Sequence, residues 1–353
     1  MPIDTIDELR EHLRLAIKVE MTTIPPYLYA MYSIVDPASD AAKLIRSVAT
    51  EEMLHAALIA NLLIAVGGDP VFYDGEMVPS YPGALPHHVP ELMLDLAPCS
   101  TKVIQEAFLV IEQPGEHEAP AEPDMYETLG QFYHALEEAL VELDGRGGLF
   151  DNPSTDRQLD PSDYAPVKFD AADSGGLVVI DDLQTALEAI EIVVHQGEGL
   201  SDDKWADPDH QELTHFAKFT QLAEGEVAIG EVYPAVTNPS EATLPASVQP
   251  VARLFSAVYS YLLLIMDRAY EPQPPDRREA VIGTMYGAME ALMRPLAKYL
   301  FGLDTPDGRA GPTFEFYEFA DRASAADELR ELGAAVLDEH PDLAGVVDML
   351  ARL

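Results

Sequence analysis

Apolar side chains recur at helical spacing in the first part of the chain. They stand at Leu9, Leu13, Ile17, Met21, Ile24 and Leu28. This pattern predicts a helix over residues 5–34. A second amphipathic pattern covers residues 41–66 and ends at a Gly-Gly pair, 67–68, which is typical of a left-handed helix stop. Because an Asp-Pro turn at 36–37 separates them, the two helices are expected to form an antiparallel hairpin.

Helical patterns resume after a loop rich in proline, glycine and tyrosine. The further predicted helices cover residues 101–112, 124–144, 182–196, 210–224, 249–269, 277–302 and 322–352. Residues 145–180 are loop-like, with one short strand candidate at 177–180. The helices at 182–196 and 210–224 form a second predicted hairpin. The sequence therefore predicts an all-α fold, a four-helix bundle with a long insertion and extra C-terminal helices.

The two hairpins suggest how the chain is divided. Residues 1–68 and 182–230 are expected to form the bundle core, and residues 69–181 an insertion with loops and two helices. Residues 231–353 are expected to be C-terminal helices packed on the bundle. Since long insertions in compact domains usually have a functional role, we interpret the insertion as a lid over a substrate site.

Two copies of a Glu-x-x-His motif mark the candidate chemistry. Glu52 and His55 lie on the second predicted helix, and Glu212 and His215 repeat the spacing on a later one. Residues three apart project from the same face of a helix. Four-helix di-iron proteins combine two such motifs with one further glutamate from each of the other two helices.

Two glutamates are expected at the same level along the bundle axis as the two motifs, and they complete this set of ligands. Glu20 and Glu52 each lie 16 residues from Asp36, and Glu198 and Glu212 each lie seven residues from Trp205. The predicted metal ligands are therefore the four carboxylates and two imidazoles of Glu20, Glu52, His55, Glu198, Glu212 and His215. Such oxygen and nitrogen donors suit iron or manganese, and the carboxylates would neutralise two divalent cations.

Other side chains compete for these roles. Glu106 and Glu112, on the helix at 101–112, are rivals to Glu198, and Glu112 is the better rival because it lies at a helix end. Glu51 is interpreted as a solvated carboxylate or as one that supports a ligand. Tyr27 and Tyr29 are radical or hydrogen-bonding candidates, with core packing as the simpler interpretation.

Composition limits the functional classes. The chain has 353 residues with 62 acidic and 21 basic side chains, a formal charge of −41 that disfavours nucleic acid and anionic membranes as partners. The single cysteine, Cys99, excludes an internal disulfide framework and any site that needs several thiolates. With no basic, apolar leader at its start, the chain is expected in the cytoplasm, acting on a small molecule, with a homo-oligomer left open.

Several segments resemble a known family. They are AIKVEMTTIPPYLYAMYSI, EEMLHAALIANLLIAVGGDP, IVVHQGEG, ELTHFAKF and PDGRAGPTFEF, in this order between about residues 5 and 316. They are similar to the ferritin-like domain of the iminophenyl-pyruvate dimer synthase family, whose best-known members act in violacein and indolocarbazole biosynthesis and are longer chains. The resemblance implies a ferritin-like bundle whose metal ligands fall on the six residues named above.

The resemblance and the motifs together lead to a functional hypothesis. We expect a di-metal oxidoreductase centre, with iron as the first choice of metal and manganese as the second. It would act on a small amino-acid-derived or natural-product substrate by imine oxidation or dimerisation. The alternative is a non-catalytic metal-binding or metal-storage protein of the same fold. Because some family members are described as haem proteins, haem is a further alternative, for which His134 and His195 are the candidate ligands.

Overall fold

The computed structural model describes residues 3–115, 124–167, 175–197 and 213–352. It is built from helices, as predicted, with two short hairpins, β1–β2 (Gly83–Ala84 with Met93–Leu94) and β3–β4 (Asp304–Thr305 with Gly308–Arg309). The helices are α1 Ile6–Ser33, α2 Asp40–Ala65, α3 (Thr101–Val103, a π-helical segment Ile104–Phe108, and Leu109–Ile111), α4 Leu129–Gly145, α5 Leu183–Gly197, α6 His215–Glu224, α7 Gln249–Ala269, α8 (Pro275–Gly287, a π-helical segment Ala288–Met293, and Arg294–Gly302), α9 Ala325–Val336 and α10 Ala344–Leu350.

The first hairpin forms as the sequence predicts. Thr5 and Glu8 close a capping box at the start of α1, and the side chain of Ser39 caps α2. The two helices lie against each other along their length. Helix α5 contacts α2, and α6 contacts both α2 and the π-helical part of α3. The bundle therefore places α1, α2, α3, α5 and α6 around one buried centre.

Helix α1 continues through its two internal prolines, Pro25 and Pro26. Proline has no N–H, so the carbonyl four residues before Pro26, that of Thr22, loses its helical partner. The hydroxyl of Tyr81 donates a hydrogen bond to this oxygen at 2.7 Å. A side chain from the loop after α2 thus replaces the missing backbone donor.

Replacing Tyr81 with phenylalanine is expected to lower the free energy of unfolding by about 1 kcal/mol, because it leaves the Thr22 carbonyl unpaired. Urea denaturation would measure the change. Tyr233→Phe is the matched control, since the described residues offer its hydroxyl no partner and the substitution should have little effect. Equal losses in the two variants would contradict the assignment.

The segment between the two hairpins contributes helices that pack against the bundle. Helix α4 packs against α1 and α5, and α3 packs against α6. The strand candidate at 177–180 is wrong: residues 175–180 are irregular in structure. Their backbone is held by side chains instead, because the Asn61 amide donates to the Val178 carbonyl at 2.9 Å and Gln158 bonds both the N–H and the carbonyl of Ile180.

One hydrophobic cluster runs from the bundle into the C-terminal helices, and the last part of α8 contacts α1. Helices α2 and α7 are long and apolar enough to cross a membrane by composition. However, 83% and 78% of their most apolar windows are buried inside the protein, as in the core helices of globular proteins.

Candidate metal centre

Four of the six predicted ligands meet in the bundle centre. Glu20 lies on α1, Glu52 and His55 lie on α2, and His215 is the first residue of α6; all four are buried. Glu198 and Glu212 lie outside the described residues, so their assignment stays a prediction. A fifth side chain, that of Glu112, joins the group from the end of α3 and is also buried.

These five side chains form two triads that share one carboxylate. Glu20, Glu52 and His55 make the first triad, and Glu52, Glu112 and His215 make the second. In each triad the candidate donor atoms lie within 4.8 Å of one another. Because Glu52 belongs to both, the two triads would share its carboxylate as a ligand if each of them held a cation.

The distances agree with this arrangement. Nδ1 of His55 lies 3.5 Å from Glu20 Oε2 and 3.9 Å from Glu52 Oε2. Nδ1 of His215 lies 2.8 Å from Glu52 Oε1 and 3.4 Å from Glu112 Oε2. The two imidazole rings are stacked with their centroids 5.4 Å apart. Each ring therefore faces one side of the shared carboxylate.

Each histidine also has a hydrogen-bonding partner at Nε2, on the side of the ring away from the shared carboxylate. Nε2 of His55 lies 2.9 Å from the amide oxygen of Gln196, and Nε2 of His215 lies 2.8 Å from Glu51 Oε2. If each Nε2 carries the proton, each Nδ1 presents a lone pair to the carboxylates. Metal-binding histidines are usually fixed in this way by an acceptor on the second ring nitrogen.

One buried atom tests whether the residues present fit a cation. Nδ1 of His215 is buried and has no hydrogen bond of acceptable geometry among the described residues, although Glu52 Oε1 is only 2.8 Å away. A buried polar atom without a hydrogen bond needs an explanation. A lone pair directed among carboxylate oxygens is what a metal ion would use, so the donor set fits a metal.

The electrostatics point to the same need for a cation. Burial raises the pKa of Glu52 well above its usual range, and the neighbouring charges of Glu112 and Glu20 raise it further. Burial by itself lowers the pKa of His215, but Glu112, Glu51 and Glu52 outweigh this effect and raise that pKa well above its ordinary value. The centre thus holds more negative charge than it can stabilise without protons or metal ions.

Hydroxyl groups hold the carboxylates in place. The Tyr133 hydroxyl donates to Glu20, that of Tyr27 donates to Glu112 at 2.5 Å, and that of Thr23 donates to Glu52 at 3.1 Å. Burial and the adjacent carboxylates raise the pKa of both tyrosines well above the usual value. Both phenols therefore stay protonated and keep donating at neutral pH.

A buried ion pair lies behind His215. The Lys218 ammonium contacts both oxygens of Glu51, at 2.9 and 2.7 Å, and both side chains are fully buried. Of the two interpretations of Glu51, the structure supports the one in which it supports a ligand, His215. Lys218 had no role in the sequence analysis, although it stands three residues after His215, on the same helical face, in a chain with few lysines.

The remaining candidates lie elsewhere. Glu106 is exposed and pairs with Lys102 at 3.7 Å, so Glu112 is the rival that reaches the centre. The Tyr29 hydroxyl donates to the Val236 carbonyl, away from the carboxylates. His134 is about half exposed and faces Glu138 at 3.7 Å, and neither it nor His195 is among the residues that line the two cavities described below.

The insertion contributes to the centre itself. Glu112 and Tyr133 both belong to the segment 69–181, which was expected to act as a lid. Gln196, which the sequence analysis also missed, lies beside the predicted ligand Glu198 in the motif IVVHQGEG. The position of Gln196, a polar residue close to a candidate ligand, was the sequence signal for its role. No feature of the neighbouring sequence indicates a role for Tyr133.

Comparison with known proteins identifies the family of the chain. The ferritin-like family model matches residues 13–224. Dichlorochromopyrrolate synthase of Lentzea aerocolonigenes is 27% identical over 92% of this chain and 38% of its own length. The 2-imino-3-(indol-3-yl)propanoate dimerase of Chromobacterium violaceum is 24% identical over 88% of this chain and 34% of its own length. The chain thus spans little more than a third of these curated relatives.

A solved structure shows the same fold. The crystal structure of a ferritin-like protein from Caulobacter vibrioides superposes with a TM-score of 0.61 at 25% sequence identity. The match covers 88% of this chain and 99% of the other. Together with the family match over more than half of its length, this shows that the chain belongs to the ferritin-like family.

Proposed function

We propose that this protein is a di-metal oxidoreductase that oxidises a small, amino-acid-derived substrate. The observation that carries the proposal is the pair of buried Glu/His triads that share Glu52. Two metal ions about one carboxylate are the usual arrangement in oxidative enzymes with four-helix bundles. The name of one curated relative, a 2-imino-3-(indol-3-yl)propanoate dimerase, supports a small imino acid as the substrate class.

The residues assign each ion a set of ligands. Glu20 and His55 would hold one ion, Glu112 and His215 the other, and Glu52 would bridge them. With neutral imidazoles these groups carry three negative charges. With Glu112 in the place of its rival Glu198, the predicted ligand Glu212 would add a fourth, which balances two divalent cations. Carboxylate and imidazole donors suit iron first and manganese second. A bound iron pair would supply two-electron oxidation with dioxygen or peroxide as the oxidant.

The chain's own groups shape what happens there. A space of about 10 Å³ lies beside Glu20, Glu52 and Glu112. This is room for about one water-sized molecule, which suits an oxidant but not an indole ring. The phenols of Tyr27 and Tyr133 keep donating to Glu112 and Glu20, so both carboxylates stay oriented toward the centre. A larger substrate would have to displace side chains to reach this space.

The test combines metal content with turnover. Metal-free protein is loaded anaerobically with Fe(II), washed, and given dioxygen together with 2-imino-3-(indol-3-yl)propanoate, generated from tryptophan by an amino-acid oxidase. We expect about two iron ions per chain and an oxidised product by mass spectrometry; for a dimer, the mass is twice that of the imine less two hydrogens. Metal-free protein is the control for uncatalysed coupling.

The alternatives give different results. Iron that accumulates far beyond two ions per chain, with no substrate-dependent turnover, would support metal storage. A Soret band in protein purified without added metal would support haem. If the protein binds two ions but forms no product from this imine, the metal centre is supported and the substrate must be another small imino or amino acid.

A further inference from the structure

A second cavity lies on the opposite side of the first hairpin. It has a volume of about 410 Å³ and lies between α1, α2 and the C-terminal helices α7 and α8. This volume is within the range of about 300–1,000 Å³ that is usual for ligand pockets. No described histidine lines it, and none of the five candidate metal ligands does so.

The hairpin separates the cavity from the metal centre. Met21 and Met53 line the cavity, whereas their chain neighbours Glu20 and Glu52 face the carboxylate cluster. Adjacent residues of a helix point about 100° apart, so one helix can serve both spaces. Ligand binding in this cavity is therefore independent of the proposed metal chemistry.

The walls are apolar and adaptable. Seven of the chain's 12 methionines line the cavity, among them Met53, Met266 and Met289. Methionine side chains are flexible and polarizable, and they accommodate apolar ligands of variable shape. Such a wall suits a hydrocarbon chain better than a rigid, heavily hydrogen-bonded molecule.

The charges at the cavity are unusual for this protein. Three cations (Arg46, Arg294, Lys298) and two carboxylates (Asp163, Glu290) line it, although the whole chain has 62 acidic and 21 basic residues. Glu290 is shared by two arginines, at 2.9 Å from Arg46 and 3.1 Å from Arg294. One carboxylate cannot neutralise two guanidinium groups, so a positive charge remains for a second anion.

A polar group in the wall also lacks a partner. The hydroxyl of Tyr259 is buried and has no hydrogen bond to any described residue, and Tyr259 lines the cavity. Buried hydroxyls are normally paired, so this one is available to a polar atom of a ligand. Glu290 and two lining methionines, Met289 and Met293, lie in the π-helical segment of α8, a type of segment that is frequent at functional sites.

We propose that this cavity binds a carboxylic acid with a long hydrocarbon chain, whose carboxylate pairs with Arg46 and Arg294 and whose chain lies among the methionines. Burial of the chain supplies the affinity, and the arginines select an anion. Glu290 competes with the ligand carboxylate for the same two guanidinium groups. Variants of Glu290 and of Arg294 should therefore change the affinity in opposite directions.

The test is calorimetric titration of the full-length protein with dodecanoate. We expect one molecule per chain, with affinity reduced about fivefold in Arg294→Gln and increased by a similar factor in Glu290→Gln, since these side chains are partly exposed. Arg277→Gln, an exposed position on the same helix outside the cavity, is the charge-matched control and should bind like the parent protein. A purely structural role for the ion pairs would make both cavity variants change in the same direction.

Two further measurements test the location. Ala49→Phe fills the cavity and should reduce dodecanoate binding at least about tenfold while leaving the metal content unchanged. Tyr259→Phe should weaken binding without lowering the melting temperature, because its hydroxyl loses no partner in the free protein. Unchanged binding in Ala49→Phe, or equal binding of dodecyltrimethylammonium, would overturn the proposal.

Discussion

Replacing Glu52 with glutamine is expected to abolish binding of both metal ions, with an affinity loss of at least about 100-fold at each site, more than the loss of a supporting hydrogen bond causes. The reason is that Glu52 belongs to both triads. Glu20→Gln and Glu112→Gln each affect one triad and should mainly reduce occupancy of one ion. Metal analysis of the three variants after equilibrium dialysis would measure this difference.

The same substitution should have the opposite effect on the metal-free protein. Without a cation, burial and the neighbouring charges of Glu112 and Glu20 raise the pKa of Glu52, so its ionised form is costly. Glutamine has no ionised form, so the melting temperature in chelator should be equal to or above that of the parent protein. With metal at about 100 times its dissociation constant, the parent protein gains about 2.7 kcal/mol for each bound ion and the variant gains almost nothing.

Glu106→Gln is the control for these experiments. Glu106 lies on the same helix as Glu112 but is exposed and paired with Lys102, so its replacement should leave metal content and stability unchanged. If Glu52→Gln still bound one ion fully and with the affinity of the parent protein, the Glu52 carboxylate would not be shared by the two sites. That result would contradict the di-metal arrangement on which the proposed function rests.

Replacing Lys218 with methionine is expected to produce the largest loss of stability, about 3–5 kcal/mol. The substitution keeps the volume of the side chain but leaves the carboxylate of Glu51 buried without its ammonium partner. Removal of one member of a buried ion pair is costly because the remaining charge stays desolvated and loses the attraction of its partner. Chemical denaturation of the metal-free protein would measure the loss.

A double variant distinguishes charge from packing. Glu51→Gln combined with Lys218→Met removes both charges, and we expect it to recover most of the lost stability. Lys102→Met, at an exposed position that pairs with Glu106, should cost at most about 0.5 kcal/mol. A double variant as unstable as Lys218→Met alone would show that packing, and not the loss of the ammonium beside Glu51, causes the instability.

The Glu51 change should also affect the metal centre. Glu51 contacts Nε2 of His215 and so fixes the ring that presents Nδ1 to Glu52 and Glu112. Loss of such a supporting contact typically reduces metal affinity about 10- to 100-fold. Glu51→Gln should therefore weaken metal binding less than Glu52→Gln does.

Local sequence patterns determined most of the helices and half of the site. Helical periodicity, capping residues and a glycine stop depend on neighbours a few positions apart, so α1, α2 and α7 match their predicted bounds within one or two residues. The spacing of Glu52 and His55 is likewise a local property of one helix. The equal distance of Glu20 and Glu52 from the turn then placed them opposite each other, because residues equidistant from the turn of an antiparallel hairpin lie side by side.

Only the tertiary structure decided which distant side chains complete the centre. Glu112 meets Tyr27 across 85 positions of sequence, and Tyr133 meets Glu20 across 113. No periodicity encodes such pairings, since they depend on how α3 and α4 pack against α1. The buried partnership of Lys218 with Glu51 and the cavity behind the hairpin arise for the same reason: burial and convergence are properties of packed helices, and a single helix pattern does not contain them.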